Sequence, residues 1–209
     1  MRRFTSLLFP ILPIVCFSQV NIINRSLTDS SLNIAYLGLD NAIELTGYKK
    51  SVKLIFLITN GTMTDIGQNR YVLRPKNEGE CIISFHHQGN KIISKLFRID
   101  TLGDMKIRLA GVQDSVASIH QILANPFLIS EIPKSHYKSP VYITSFTATF
   151  IGEKFDSVRT NAMGNLFTQE QIDIIKQLRQ RDKILFQDVY FFWPDGRRRK
   201  YPPFVIAIK

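Results

Sequence analysis

The residue types with the most to offer chemically are four histidines, the thiol of Cys81 and a run of four cations, Arg197-Arg198-Arg199-Lys200. His86 and His87 are adjacent in a stretch that reads as a strand. Successive strand side chains leave from opposite faces, so the two rings are not expected to share a metal ion. His120 and His136 stand apart, and neither a His-Glu-x-x-His nor a Cys-x-x-Cys spacing occurs. The four are therefore expected to be surface or core histidines, with no metal site. Nucleophilic catalysis would need a Ser, Cys or Thr poised beside a base, and the sequence has no Gly-x-Ser-x-Gly elbow. Cys81 is flanked by Ile82 and Ile83, which predicts a buried, inert thiol, because reactive thiols need accessible, electropositive surroundings. A Gly-rich phosphate loop is absent as well. The reading is a protein that is not an enzyme, with no catalytic residue, no metal and no cofactor.

The basic run, lying beside Trp193 and Tyr201, is the one cluster that carries functional weight. Such a run can be a solvated hairpin arm. The alternative is a surface that docks an acidic partner, with Arg197, Arg198, Arg199 and Lys200 supplying charge and forked hydrogen bonds and Trp193 an apolar anchor. The elements that position it are legible. Phe167-Thr168-Gln169-Glu170-Gln171-Ile172 combines a capping box, Thr168 as N-cap and Gln171 at N3, with a staple of Phe167 against Ile172. Ile172, Ile175 and Leu178 then recur at near-helical spacing, predicting a helix near 168–181 whose last turns carry Lys176, Arg179 and Arg181. Residues 184–193 are β-branched and aromatic, and Pro194-Asp195-Gly196 is a turn signal whose Gly accepts positive φ. Arg197 to Lys209 is expected to fold back as the second arm of a C-terminal hairpin.

Residues 1–18 read as a cleavable signal peptide: Met1-Arg2-Arg3 is basic, Phe4 to Val15 is mostly apolar, and Ser18 is small. The run is shorter than the roughly 20 residues a membrane span requires and holds Pro10 and Pro13, so no transmembrane anchor is expected after cleavage. Cleavage removes two arginines and no acid, taking the formal charge from +10 to +8. A basic exported chain is drawn to acidic partners without the charge choosing among them, and export takes it away from nucleic acid. With Cys81 alone left, no intramolecular disulfide can form. Stability must come from buried apolar surface, for which the remaining chain is long enough in one or two domains.

From Leu32 to Phe97 short strands and turns alternate. Leu32–Leu37, Asn41–Leu45, Val52–Ile58, Tyr71–Pro75, Cys81–His86 and Ser94–Ile99 read as strands, Val52–Ile58 as a core strand. Gly38-Leu39-Asp40, Asn60-Gly61, Lys76–Gly79 and Gln88–Asn90 read as turns. Strands at this spacing predict an immunoglobulin-like sandwich over residues 19–100. Thr101–Asp104 is the expected boundary. A second β-rich domain over 104–209 is expected to hold a helix over Asp114–Leu123, ended by Asn125-Pro126, a strand over Val141–Phe150, and the helix and hairpin already described. The fold class is thus mainly β: two tandem immunoglobulin-like β-sandwich domains, the second with one or two helices.

Tyr36-Leu37-Gly38-Leu39-Asp40-Asn41-Ala42-Ile43, Asn60-Gly61-Thr62, Phe97-Arg98, Ser145-Phe146, Asp195-Gly196 and Tyr201-Pro202-Pro203 together resemble the two C-terminal periplasmic domains of the GldM family, the gliding-motility and type IX secretion motor proteins. The likeness spans most of residues 30–209, and its motifs are turn and strand residues. It implies β-sandwich modules that form an extended dimer and contact envelope or secretion-machinery proteins. It therefore implies a non-enzymatic interaction protein of the periplasm, associated with the outer membrane, with a homodimer as an allowed assembly. Ala42 stands where the family tends to have Pro, and the family's Pro-rich junction is missing around Thr101–Asp104. The family's helical domain and membrane anchor are also not seen, so torque generation is not implied. Alternatives are a module binding envelope glycan or lipid, with Tyr190, Trp193 and Tyr201 lining a groove, and a hydrolase of unrecognised spacing.

Overall fold

A computed structural model describes residues 19–138 and 140–209; the expected signal peptide lies outside the described residues. The described residues are mainly β, with two short helices among them, both in the second half.

Period-two alternation builds the first half. In β7 (Gly79–His87), Cys81, Ile83 and Phe85 are fully buried while Glu80, Ile82, Ser84 and His86 face outward. β7 pairs antiparallel with β8 (Asn90–Asp100) across a turn in which Gln88 and Gly89 take positive φ. β2 (Ile34–Tyr36) joins β8 in parallel and β4 (Ile55–Ile58) lies on the other side of β7, giving the sheet order β2-β8-β7-β4. A second sheet has the order β1-β3-β6-β5, made from β1 (Asn21–Asn24), β3 (Asn41–Thr46), β6 (Arg70–Arg74) and β5 (Thr62–Gly67). Between the sheets lies one core, in which Ile43, Leu45, Tyr71 and Leu73 meet Ile83, Phe85 and Phe97. Burying a ring such as Phe85 contributes roughly 1.5–3 kcal/mol relative to leaving it in water.

Two features depart from expectation. The run Val52–Ile58 is not a core strand: only residues 55–58 are strand, at the open edge of their sheet, with Ile55 64% and Leu57 57% exposed. A continuous apolar run does not reveal which of its faces is covered. The opposite edge of that sheet, β2, is pinned by a buried polar pair that the sequence left unnoticed. Asn41 accepts from the Tyr36 amide and donates to the Tyr36 and Leu39 carbonyls, and Asn24 donates to Ile34 O and Asn41 Oδ1.

The second half is a lopsided sandwich. Its large sheet runs β10-β16-β14-β12-β13 with β15 also on β14. The strands are β10 (Val116–Ala117), β12 (Tyr142–Gly152), β13 (Phe155–Met163), β14 (Lys183–Phe192), β15 (Arg198–Tyr201) and β16 (Phe204–Ile208). Against one face pack the small pair β9 (Lys106–Leu109) and β11 (Leu128–Glu131), with α1 (Ile119–Ala124) and α2 (Gln169–Ile175). Phe146, Phe167, Phe186 and Phe204 stack through this core, with ring centroids 4.8–6.0 Å apart.

Both helices are capping-box helices, and both are shorter than expected. Thr168 and Gln171 cap α2 reciprocally, as the sequence implies, and Phe167 and Ile172 join the same core. The helix ends at Ile175 rather than near 181, so Arg179 and Arg181 do not sit in its last turn. Arg181 takes φ 76° and buried Asp182 accepts from the Arg179 amide at 2.7 Å, a turn that competes with further helix. The expected helix over Asp114–Leu123 begins only at N-cap Ser118. Val116-Ala117 instead pairs in parallel with β16, which places Val116 at the surface, 42% exposed.

Thr101–Met105 separates β8 from β9, yet the second half reaches back across this boundary. Leu27 bridges to Tyr137, the Thr28 amide donates to His136 O at 2.7 Å, and the Tyr137 hydroxyl donates to Asp40 O at 2.8 Å. Leu27, Tyr36 and Leu39 form a third small core with Leu102 and Tyr137, whose ring stands edge-on to Tyr36 at 5.6 Å.

Candidate interaction surface

The basic run sits on the hairpin formed by β14 and β15. Its turn closes through Gly196 N to Trp193 O at 2.8 Å and Trp193 N to Arg197 O at 2.9 Å, with Gly196 at φ 78°. Asp195 adds a side-chain bond to the Arg197 amide at 2.9 Å. The returning arm is not one strand. Pro202 and Pro203, which have no amide proton to give a ladder, split it into β15 and β16 opposite the point where Asp188 takes φ 51°.

Strand alternation divides the five site residues, which the sequence reading treats as one cluster. On the outer side, the Arg198 guanidinium lies 4.1 Å from the Tyr190 ring centroid and Lys200 pairs with Asp188 at 2.7 Å. On the other side, Arg199 lies 4.8 Å from the Trp193 ring and pairs with Asp195 at 2.6 Å. Arg197 stands at the turn. A run of four cations in a strand cannot share a face, because its side chains alternate. Missed by the sequence reading were the two acids: Asp188 and Asp195 are the signal, each near enough along the hairpin to neutralise a cation.

The electrostatics follow. Hydrogen bonding to Lys200 foremost, with Arg159 also near at 2.9 Å, holds the Asp188 carboxyl below its usual range. For Asp195 burial pushes the pKa up, but the Arg197 amide and the Arg199 guanidinium outweigh it and the net direction is down. Lys200 is raised in turn by its bond to Asp188. Arg197 and Arg198 form no ion pair among the described residues.

The hairpin tip borders two clefts. One, of about 430 Å³, lies between Pro194, Asp195 and Arg197 and the Gly38, Asp40 and Arg74 of the first half, where Arg74 and Asp40 form a forked ion pair. The other, of about 480 Å³, lies between the 102–105 connection and Phe191, Trp193, Arg199 and Tyr201. The rings of Tyr190 and Trp193 are not an open platform: Arg198 and Arg199 cover a face of each, while Tyr201 turns its edge to Phe204 at 6.2 Å.

The other chemistry-bearing residues are dispersed. His86 contacts Ser84 Oγ at 3.3 Å and His87 the Tyr48 hydroxyl at 3.1 Å, on separate faces. No group of three His, Cys, Asp or Glu among the described residues is placed to hold a metal ion. Cys81 is fully buried, its thiol directed at the Asn60 carbonyl, and burial raises its pKa, which disfavours the thiolate. Among the described residues no helix is long and apolar enough to cross a membrane.

No family model matches the chain, and no curated protein matches it. Among solved structures it is similar to the adhesin InvE of Yersinia pseudotuberculosis, at 9% identity and a TM-score of 0.28. The match covers 90% of this chain and 58% of that one, so the chain spans well under two thirds of that structure.

Proposed function

We propose that this chain is an exported, non-enzymatic envelope protein that binds the acidic surface of a protein partner through the hairpin Trp193–Lys200. The supporting observation is the laying of two guanidinium groups on Tyr190 and Trp193. Each stack contributes about 0.5–1 kcal/mol at an exposed site; that on Tyr190 holds the Arg198 fork ready for a carboxylate, whereas the Arg199 fork is already taken by Asp195. Arg197 and Arg198, which form no ion pair among the described residues, supply the attraction, and the part of Trp193 that Arg199 leaves uncovered the apolar anchor. The likeness to the GldM C-terminal domains implies partners in the periplasm or at the outer membrane, in an accessory role to gliding motility or type IX secretion. A glycan or lipid ligand stacking on the same rings would first have to displace Arg198 and Arg199, which disfavours that second reading.

The test is affinity purification with crosslinking from envelope fractions, comparing the natural chain with R197E/R198E. Recovery of acidic envelope or secretion proteins at low salt, lost in the charge-reversed chain, is the expected result. Equal recovery by both, or a bare chain without partners, removes the reading.

A further inference from the structure

We propose a second interaction surface, independent of the hairpin: the open edge of β4 accepts an extended, acidic segment of a partner protein as an added antiparallel strand. β4 ends its sheet, and among the described residues no backbone hydrogen bond reaches it from any element except β7. Alternate amide and carbonyl groups along Ile55–Ile58 therefore face away from the sheet, the arrangement that strand addition uses.

The face beside this edge is apolar where a solvated sheet would be polar. Ile55 and Leu57 on β4, Ile82 on β7 and Leu96 on β8 are 64, 57, 42 and 46% exposed. The register unites them, since Ile82 pairs directly with Leu96, and Leu57 pairs with Ser84, two residues along β7 on the same face. Four neighbouring aliphatic side chains left in water form a patch that marks a contact surface.

Charge selects the occupant. Lys49, Lys50 and Lys53 precede β4, and Lys91 lies opposite His86, which is itself paired with Ile55. All four lysines are exposed, and none forms an ion pair among the described residues. The acids of this face, Glu80 and Asp100, lie at the far end, where Arg98 is in register with Glu80 and pairs with Asp100 at 2.7 Å. In an antiparallel pair of β4 strands, the lysines before Ile55 of one copy would lie past Ile58 of the other, where Thr59-Asn60-Gly61-Thr62 offers no carboxylate, so a second copy leaves them unmatched. A segment alternating aliphatic and acidic residues meets both features, laying its apolar side chains along the patch and its carboxylates against the lysines.

The probe is a fluorescein-labelled ten-residue peptide alternating Val and Glu, titrated onto the full chain by fluorescence polarisation. Three controls accompany it: the Val-Lys peptide, the Val-Glu peptide N-methylated at alternate amides, and the I55K/L57K chain. Both substituted side chains are exposed, and thermal melting checks that the variant folds. The Val-Glu peptide is expected to bind, and each control to bind about tenfold more weakly or not at all. Hydrogen exchange is expected to gain protection at residues 55–58, and R197E/R198E to bind the peptide unchanged, which separates this surface from the hairpin. Failure of the peptide to bind, indifference to N-methylation, or protection confined elsewhere overturns the proposal. So does sedimentation of the chain alone as a dimer that I55K/L57K dissociates, for then a second copy occupies the edge.

Discussion

At the centre of the outer face of the six-stranded sheet, with Ile151, Met163, Phe192 and Val205 exposed around it, Thr147 donates to Asn161 at 2.8 Å and Gln187 donates to Thr149 at 3.3 Å, while Asp188 holds Arg159 and Lys200. The outer face of β4, β7 and β8 carries Ile55, Leu57, Ile82 and Leu96 instead. Both sheets cover a fully buried inner layer, so the difference lies on their outer sides. A face whose polar groups satisfy one another across the strands is complete in water. A face of aliphatic groups beside an unpaired edge is complete only when covered. Under the strand-addition proposal, the contrast separates a stretch that is finished in water from one that takes a neighbour.

Four measurements bear on this contrast. Truncating a ring of either inner layer, Phe186→Ala or Phe85→Ala, is expected to destabilise the chain by about 3–5 kcal/mol in urea unfolding. Clearly unequal losses would mean that the two layers themselves differ. Thr147→Val removes the hydroxyl that donates to Asn161 and is expected to cost about 1 kcal/mol. A neutral outcome would show that the polar face is merely tolerant of water. Leu57→Thr is expected to stay within about 0.5 kcal/mol of the natural chain, because its side chain is already largely in water. A larger loss would place Leu57 in the core's service. The smallest effect concerns acid. The Asp188 pKa is lowered, chiefly by the bond to Lys200, so its stabilising contribution is present above the ordinary carboxylate range. It is lost as pH falls through the depressed value. Asp188→Asn should flatten that part of the stability–pH profile, whereas I55K/L57K should leave its shape unchanged.

Much of the strand framework was legible because alternation along residues 41–45 and 81–86 is strong and its inner positions are those found buried, while over 141–150 the outward Thr147 and Thr149 are buried as well. Both capping boxes were present in the sequence, although only that at Thr168 was read. Helix ends were not legible, since the apolar spacing Ile172, Ile175, Leu178 continues past the point where the backbone leaves the helix for a local turn, in which Asp182 accepts from the Arg179 amide three residues earlier. The edge position of β4 was hidden as well: Ile55-Phe56-Leu57-Ile58 reads as core in one dimension. At the candidate site the residues were found but their arrangement was not. Treating Arg197–Lys200 as one patch overlooked that a strand sends neighbours to opposite sides, and that Asp188 and Asp195 lie within reach of two of them.

The seam at Tyr137 bears on the order of events during synthesis. Tyr36 and Leu27, near the start of the chain, are roofed by a residue made a hundred positions later, whose hydroxyl also secures Asp40. A nascent polypeptide emerging amino end first therefore holds an unroofed notch until the stretch around His136 arrives. Its first module is closed only retrospectively, by its successor.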